Sequence, residues 1–277
     1  MTFSTLMTHV QPEAEARPRL DFAVGLAERF GARLIGLGAE MIPPLAFDNG
    51  FYPVDAEWVI AMRESIEDQL EVSRDLFHRQ AARLPEGDAL WVCGVESPTS
   101  ALTVASRAAD LIVLGGAGRR HPNAYRDASP AELAMRAGRP VLVAPPTAPA
   151  LSAKTIVLAW KDTREARRAL TDALPFFERA ETVVVLEVYD RDGEEDAKVR
   201  TEDVVAALRR RGVPAEAKVT PHGHGPLSVC ILDEARARGA DLVVLGCYGH
   251  TRLGEWVFGG VTRDILAQDE VHLLLSH

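Results

Sequence analysis

Ala109-Asp110-Leu111-Ile112-Val113-Leu114-Gly115 returns 131 residues later, nearly unchanged, as Ala240-Asp241-Leu242-Val243-Val244-Leu245-Gly246. In each copy an unbroken apolar run stops at glycine. Runs of this length between turn residues fit a strand covered on both faces in a parallel sheet. The spacing is that of one small domain, so the repeat predicts two α/β domains in tandem.

Outward from these two strands, both halves alternate between strand and helix, the pattern of parallel sheets with helical crossovers. In the first half the expected strands are Ser4 to His9, Ala32 to Leu37, Leu90 to Val95, Leu111 to Leu114 and Val141 to Ala144. Helices are expected over Glu13 to Phe30, Ala56 to Leu84 with Asp55 as N-cap, Thr99 to Ala109 and Ala131 to Ala137. Pro145, Pro146 and Pro149 can continue neither ladder nor helix, which places the boundary near residue 150. The domains are therefore 1–150 and 151–277.

The second half repeats the order. Strands are expected to Trp160, over Thr182 to Val188, Ala215 to Val219, Leu242 to Leu245 and Leu273 to Leu275. Helices are expected over Arg164 to Phe177, Ala197 to Arg211 and Leu227 to Arg238, with a closing helix before the last strand. The acidic run Asp190 to Asp196 reads as a solvated loop. The expected fold is two doubly wound domains, each a five-stranded parallel sheet flanked by helices.

Composition narrows the partners. The net charge of −9 and pI near 5.4 argue against a general nucleic-acid binder, which needs a basic face to release phosphate counterions. Cys93, Cys230 and Cys247 are far apart and form no CxxC pair, so neither a disulfide framework nor a zinc knuckle is expected. His222-Gly223-His224 has no third donor nearby and reads as a solvated loop, and Cys247 as a small buried filler. Met1 to Gln11 lacks the features of a signal peptide and no window reaches a membrane-spanning length; a cytoplasmic protein without a membrane partner is expected.

The chemistry points to the carboxyl ends of the central strands, where open α/β sheets bind ligands. After Gly246 comes Gly249, then after nine residues Gly259, with Gly260-Val261-Thr262 leading into a helix. Glycines let backbone N–H groups approach an anion, and a helix amino terminus favours one. A terminus contributes roughly 0.3–1 kcal/mol, whereas micromolar affinity requires about 8 kcal/mol, so other contacts must share the task. The chain holds no Gly-Lys-Ser/Thr phosphate loop, nucleophile elbow or zincin helix. No catalytic residue and no metal ligand is nominated.

The stretch from Gly246 to Thr262, with the strand before it and the duplication, resembles the nucleotide-loop signature of universal stress proteins. The whole chain looks like a tandem member of that family. The resemblance implies the adenine-nucleotide hydrolase-like fold and a stress-response regulator that binds an adenine nucleotide, ATP with Mg, in the carboxyl-terminal domain. It implies adenine and ribose contacts at Trp160, Lys161, Asp162 and Val188, and a phosphate cradle at Leu245, Gly246, Gly249, Gly259, Gly260, Val261 and Thr262. Lys161 stands nearest to the family's aspartate, and Gly260 where nucleotide-binding members carry Ser or Thr.

In the first domain Ala128 replaces the last glycine and His9-Val10-Gln11-Pro12 follows the first strand, a degenerate partner. Two other readings stand beside nucleotide binding. One is a ligand-free interaction module whose last strands, Val141 to Ala144 and Leu273 to Leu275, meet as an internal pseudo-dimer or in a homodimer. The other is slow ATP hydrolysis, with Asp162 helping to hold a metal.

Overall fold

The structure is a computed structural model; it describes residues 2–13, 16–43, 56–116, 123–146, 149–189, 193–247 and 260–277. The first half contains strands β1 (Thr5–His9), β2 (Arg33–Ala39), β3 (Ala89–Gly94), β4 (Leu111–Gly115) and β5 (Val141–Ala144). Its helices are α1 (Arg17–Phe30), α2 (Ala56–Ala81), α3 (Pro98–Ala105) and α4 (Pro130–Arg136). The second half contains β6 (Thr155–Trp160), β7 (Thr182–Tyr189), β8 (Ala215–Pro221), β9 (Leu242–Gly246) and β10 (His272–Ser276). Its helices are α5 (Arg164–Asp172), α6 (Leu174–Phe177), α7 (Glu194–Arg209), α8 (Leu227–Arg238) and α9 (Gly260–Leu266).

All ten strands form one sheet in the order β3-β2-β1-β4-β5-β10-β9-β6-β7-β8. Within each half every pairing is parallel. The halves meet where β5 and β10 pair antiparallel, Leu142 opposite Leu274. Each half is the expected doubly wound five-stranded sheet, and the meeting of last strands occurs inside the chain. The solid apolar runs follow from this arrangement, because helices cover both faces of the sheet and every position of β4 and β9 before the terminal glycine is buried.

The repeated Asp in the Ala-Asp-Leu motif does the same work twice. Asp110 Oδ2 accepts the backbone N–H groups of Ser4 (2.8 Å) and Thr5 (3.0 Å), fixing the start of β1. Asp241 accepts those of Ser152 (2.6 Å) and Ala153 (3.0 Å), fixing the approach to β6. Ala153 needs that hold, since it sits at φ 49, a left-handed conformation that costs a non-glycine residue roughly 1–2 kcal/mol. Asp241→Ala is expected to destabilise the protein by about 2 kcal/mol, the range for hydrogen bonds to a charged group, in a urea titration.

Three expectations are corrected. The helix expected over Arg164 to Phe177 breaks into α5 and α6 at Ala173, because Pro175 has no N–H with which to continue the ladder. The helix expected to reach Ala109 ends at Ala105 and tightens into a 3₁₀ turn over Ser106–Ala108. The acidic run is not all loop: Glu194, Glu195 and Asp196 form the first turn of α7, where carboxylates complement the helix dipole. Asp55 and the remainder of that acidic run, residues 190–192, lie outside the described residues.

Candidate nucleotide crevice and its counterpart in the first half

In the second half the strand order reverses between β6 and β9, which are parallel neighbours but far apart in sequence. β6 leads through α5 to β7 on one side and β9 lies on the other, so their carboxyl ends form the switch point at which open α/β sheets take ligands. Lys161 and Asp162 follow β6. Thr163 then caps α5, its hydroxyl accepting the N–H of Ala166 at 3.3 Å. Asp162 is engaged in an ion pair with Arg167.

Strand alternation divides the expected site residues between two faces. Val188, Leu245 and Val261 pack together with the core on the face covered by α3, α4, α8 and α9. Thr262 is buried in α9, and Gly260 opens that helix with no described atom within 4 Å of where a Cβ would stand. Trp160 turns to the opposite face among α1, α5 and α7, where it is 8% exposed and its indole Nε1 has no partner among the described residues. It stands opposite Glu187 in register, whose buried carboxylate receives a fork from Arg200. Gly249 and Gly259 lie outside the described residues.

Gly246 has a packing reason to be glycine. A Cβ there would meet the backbone of α5 at Glu165 C (2.4 Å), Ala166 N (2.5 Å) and Glu165 O (2.7 Å). The end of β9 and the first turn of α5 thus touch main chain to main chain. Glu165, buried at this contact, is held low by Arg164 and Thr163 hydrogen bonds, against the opposing and largest influence of its own burial. Cys247 is wholly buried, donates to Ser276 O, and has its thiol pushed up to about 12 by burial, as suits an inert filler.

The equivalent crevice of the first half, at the ends of β1 and β4, is filled by the chain itself. Gln11 Nε2 donates to Arg126 O (2.8 Å) and Asp127 Oδ1 (3.0 Å), and Arg19 Nη2 donates to Gln11 Oε1 (2.8 Å). The Arg126 guanidinium reaches Glu13 (2.5 Å), Glu40 (3.1 Å) and Gln69 (2.8 Å). Burial pushes the Glu40 carboxyl up, against the pull of Arg126. Ser129 caps α4 through the N–H of Glu132. Composition marked this half as degenerate; that Arg126 would occupy its crevice was not legible, because Arg126 is distant in sequence from each of these partners except Asp127.

His9 ends β1 beneath this network, wholly buried, with Nε2 at 3.1 Å from Ala39 O. Burial first, and Arg19 second, lower it to about 4. Below pH 6.5 the unfolded chain binds a proton that the folded chain refuses until about pH 4. His9 therefore costs nothing above pH 6.5 and removes about 3 kcal/mol between pH 6.5 and 4. His9→Gln is expected to flatten that part of the stability profile relative to the native chain, read from urea midpoints at each pH.

The fold is a tandem doubly wound α/β arrangement with two switch points, the first of them filled by the chain's own side chains. Residues 152–276 match the universal stress protein family. The amino-terminal half repeats the fold of that matched segment. A universal stress protein from Archaeoglobus fulgidus is similar along 98% of this chain and 97% of its own, at 13% identity and a TM-score of 0.74. A functionally unknown protein from Pseudomonas aeruginosa is similar over 99% of this chain and 92% of its own, at 14% identity and a TM-score of 0.57. At these identities the likeness is one of fold. No curated protein sequence matches the chain. Among the described residues no helix is long and apolar enough to cross a membrane.

Proposed function

We propose that this protein is a stress-response regulator whose carboxyl-terminal half, 151–277, binds one adenine nucleotide per chain, ATP with Mg, and uses its occupancy to control an interaction. The observation that carries the reading is the switch point between β6 and β9 in the half that keeps the Gly246-x2-Gly249-x9-Gly259 spacing. On the same face as Val188, with which Thr220 pairs in register, the Thr220 hydroxyl is buried and has no partner among the described residues, as befits a polar group awaiting one. Lys161, Asp162 and Val188 would hold the base and ribose, and Gly246, Gly249 and the start of α9 at Gly260, Val261 and Thr262 the phosphates. Leu245 and Trp160 support the strand ends. ATP would bring a phosphate chain for the loop to grip; this chain's own residues bind and orient it, and none is nominated to activate water.

The first half would bind none, because Gln11, Arg126 and Asp127 occupy its crevice. A ligand-free interaction module is the second reading, favoured by the packing role of Gly246, which explains that glycine without a ligand.

The test is to denature freshly purified protein and identify released nucleotide by chromatography and mass spectrometry. ATP near one per chain supports the proposal. None, together with no thermal shift in Mg-ATP, supports the module. At a ligand concentration of 100 Kd the expected stabilisation is about 2.7 kcal/mol, roughly 5–10 °C. Gly260→Ser restores a hydroxyl where no described atom lies within 4 Å of a Cβ, and is expected to tighten Mg-ATP roughly three- to tenfold by titration calorimetry.

A further inference from the structure

The two ends of the ten-stranded sheet are built differently. The outer edge strands β3 and β8 occupy matched positions, Ala89 pairing with Leu34 as Ala215 pairs with Val183. On the face away from α2 and α7, β8 presents Glu216 and Lys218, and Glu216 is paired with Arg238. Charges on an outer strand guard it against pairing with other chains. β3 carries Leu90 and Val92 at those same positions, 41% and 48% exposed. Among the described residues no strand pairs with its outer edge.

Along the other face of β3 runs a groove of about 410 Å³ between the strand and α2. Leu70 and Trp91 form its floor, and Glu67, Asp68, Glu71 and Arg74 line its wall. Arg74 is paired with Glu71 and Arg63 with Glu67, and Asp68 forms no ion pair among the described residues. The wall therefore stays net acidic over an apolar floor.

We propose that the edge of β3 receives an extended segment of a basic partner protein as an eleventh strand, with alternate residues of opposite kinds. Residues turned to α2 are Lys or Arg, their stems along Trp91 and Leu70 and their charges on Glu67, Asp68 and Glu71. The intervening residues are β-branched and apolar, covering Leu90 and Val92. A second copy of this chain fits poorly, because two-fold pairing of β3 with itself would set α2 beside α2 and bring the same carboxylates together.

The test uses a fluorescently labelled, end-capped octapeptide of alternating Val and Lys, titrated with the full chain and followed by anisotropy. Saturable binding is expected, with the Val-Glu counterpart roughly tenfold weaker or worse and with affinity falling as salt rises. N-methylation of alternate peptide nitrogens abolishes binding if the main chain pairs with β3. Glu71→Lys, which loses only the exposed pair with Arg74 and so lowers the melting temperature by no more than a few degrees, should weaken the basic peptide roughly tenfold. Equal affinity for both peptides, survival of binding in the N-methylated peptide or in Glu71→Lys, or a native dimer that Val92→Lys dissociates would each overturn the proposal.

Discussion

Gly246→Ala is expected to destabilise the protein by about 3 kcal/mol or more, and to do so with or without nucleotide. The added methyl meets backbone atoms of Glu165 and Ala166 at 2.4 to 2.7 Å, a separation that Cβ atoms do not tolerate. Main chain at a helix start cannot rotate aside as a side chain can, so α5 or β9 must move. Overpacking of this kind costs roughly 1–3 kcal/mol and more where the backbone itself blocks. For a chain of this size the melting temperature should fall by roughly 6–12 °C.

The first half supplies the internal control. At the equivalent Gly115 a Cβ would meet Arg19 Nη1 at 2.8 Å and Cδ at 3.0 Å, atoms of a flexible side chain. Gly115→Ala should therefore cost about 1 kcal/mol or less. Equal losses at the two sites in denaturant titrations would show that the α5 contact does not distinguish them.

Phe176→Ala is expected to cost about 4 kcal/mol and to separate the unfolding of the two halves. Phe176 of α6 is fully buried against Phe3 (5.4 Å between ring centroids) and Phe30 (5.3 Å), both from the first half. Phe3 and Phe30 meet edge to face at 5.1 Å. Arg179 lies over Phe30 at 4.4 Å and donates to Arg29 O, while Arg29 donates to Leu151 O, so the cluster is sealed by contacts that also span the halves. Removing a buried phenyl ring costs roughly 3–5 kcal/mol, and each edge-to-face pair roughly 0.5–1.5 kcal/mol beyond its area. Urea unfolding followed by far-ultraviolet circular dichroism and by tryptophan emission should coincide in the native chain and diverge in the variant. A single coincident transition less than about 1 kcal/mol weaker would mean that β5–β10 pairing alone couples the halves. A cycle with Phe30→Ala isolates the pair, and coupling of roughly 0.5–3 kcal/mol is expected.

Much of the fold was legible because parallel strands covered on both faces must be apolar at every position. That requirement wrote Leu111 to Leu114 and Leu242 to Leu245 as solid runs, and the repeat exposed the duplication. Breaks in helices were less legible: Pro175 was visible, yet Phe176 and Phe177 continued an apolar pattern that belongs to the interface between halves rather than to one helix face. Of the expected site, Lys161 and Asp162 after β6 and Gly246 at the end of β9 lie at the carboxyl end of neighbouring parallel strands, and Gly249 and Gly259 lie outside the described residues. Trp160 follows strand alternation to the far side of the sheet.

By itself the sequence determined the two α/β halves, the ends of their central strands, and the glycine spacing kept in the second half and lost in the first. These follow from local rules: apolar runs, proline punctuation and glycine spacing. Only the tertiary structure decided that β5 and β10 join the halves into one sheet, that Arg126 fills the first crevice, and that Gly246 answers to α5. Each of these depends on residues far apart in the chain meeting in space, and no local pattern encodes which distant side chain or backbone will occupy a given position.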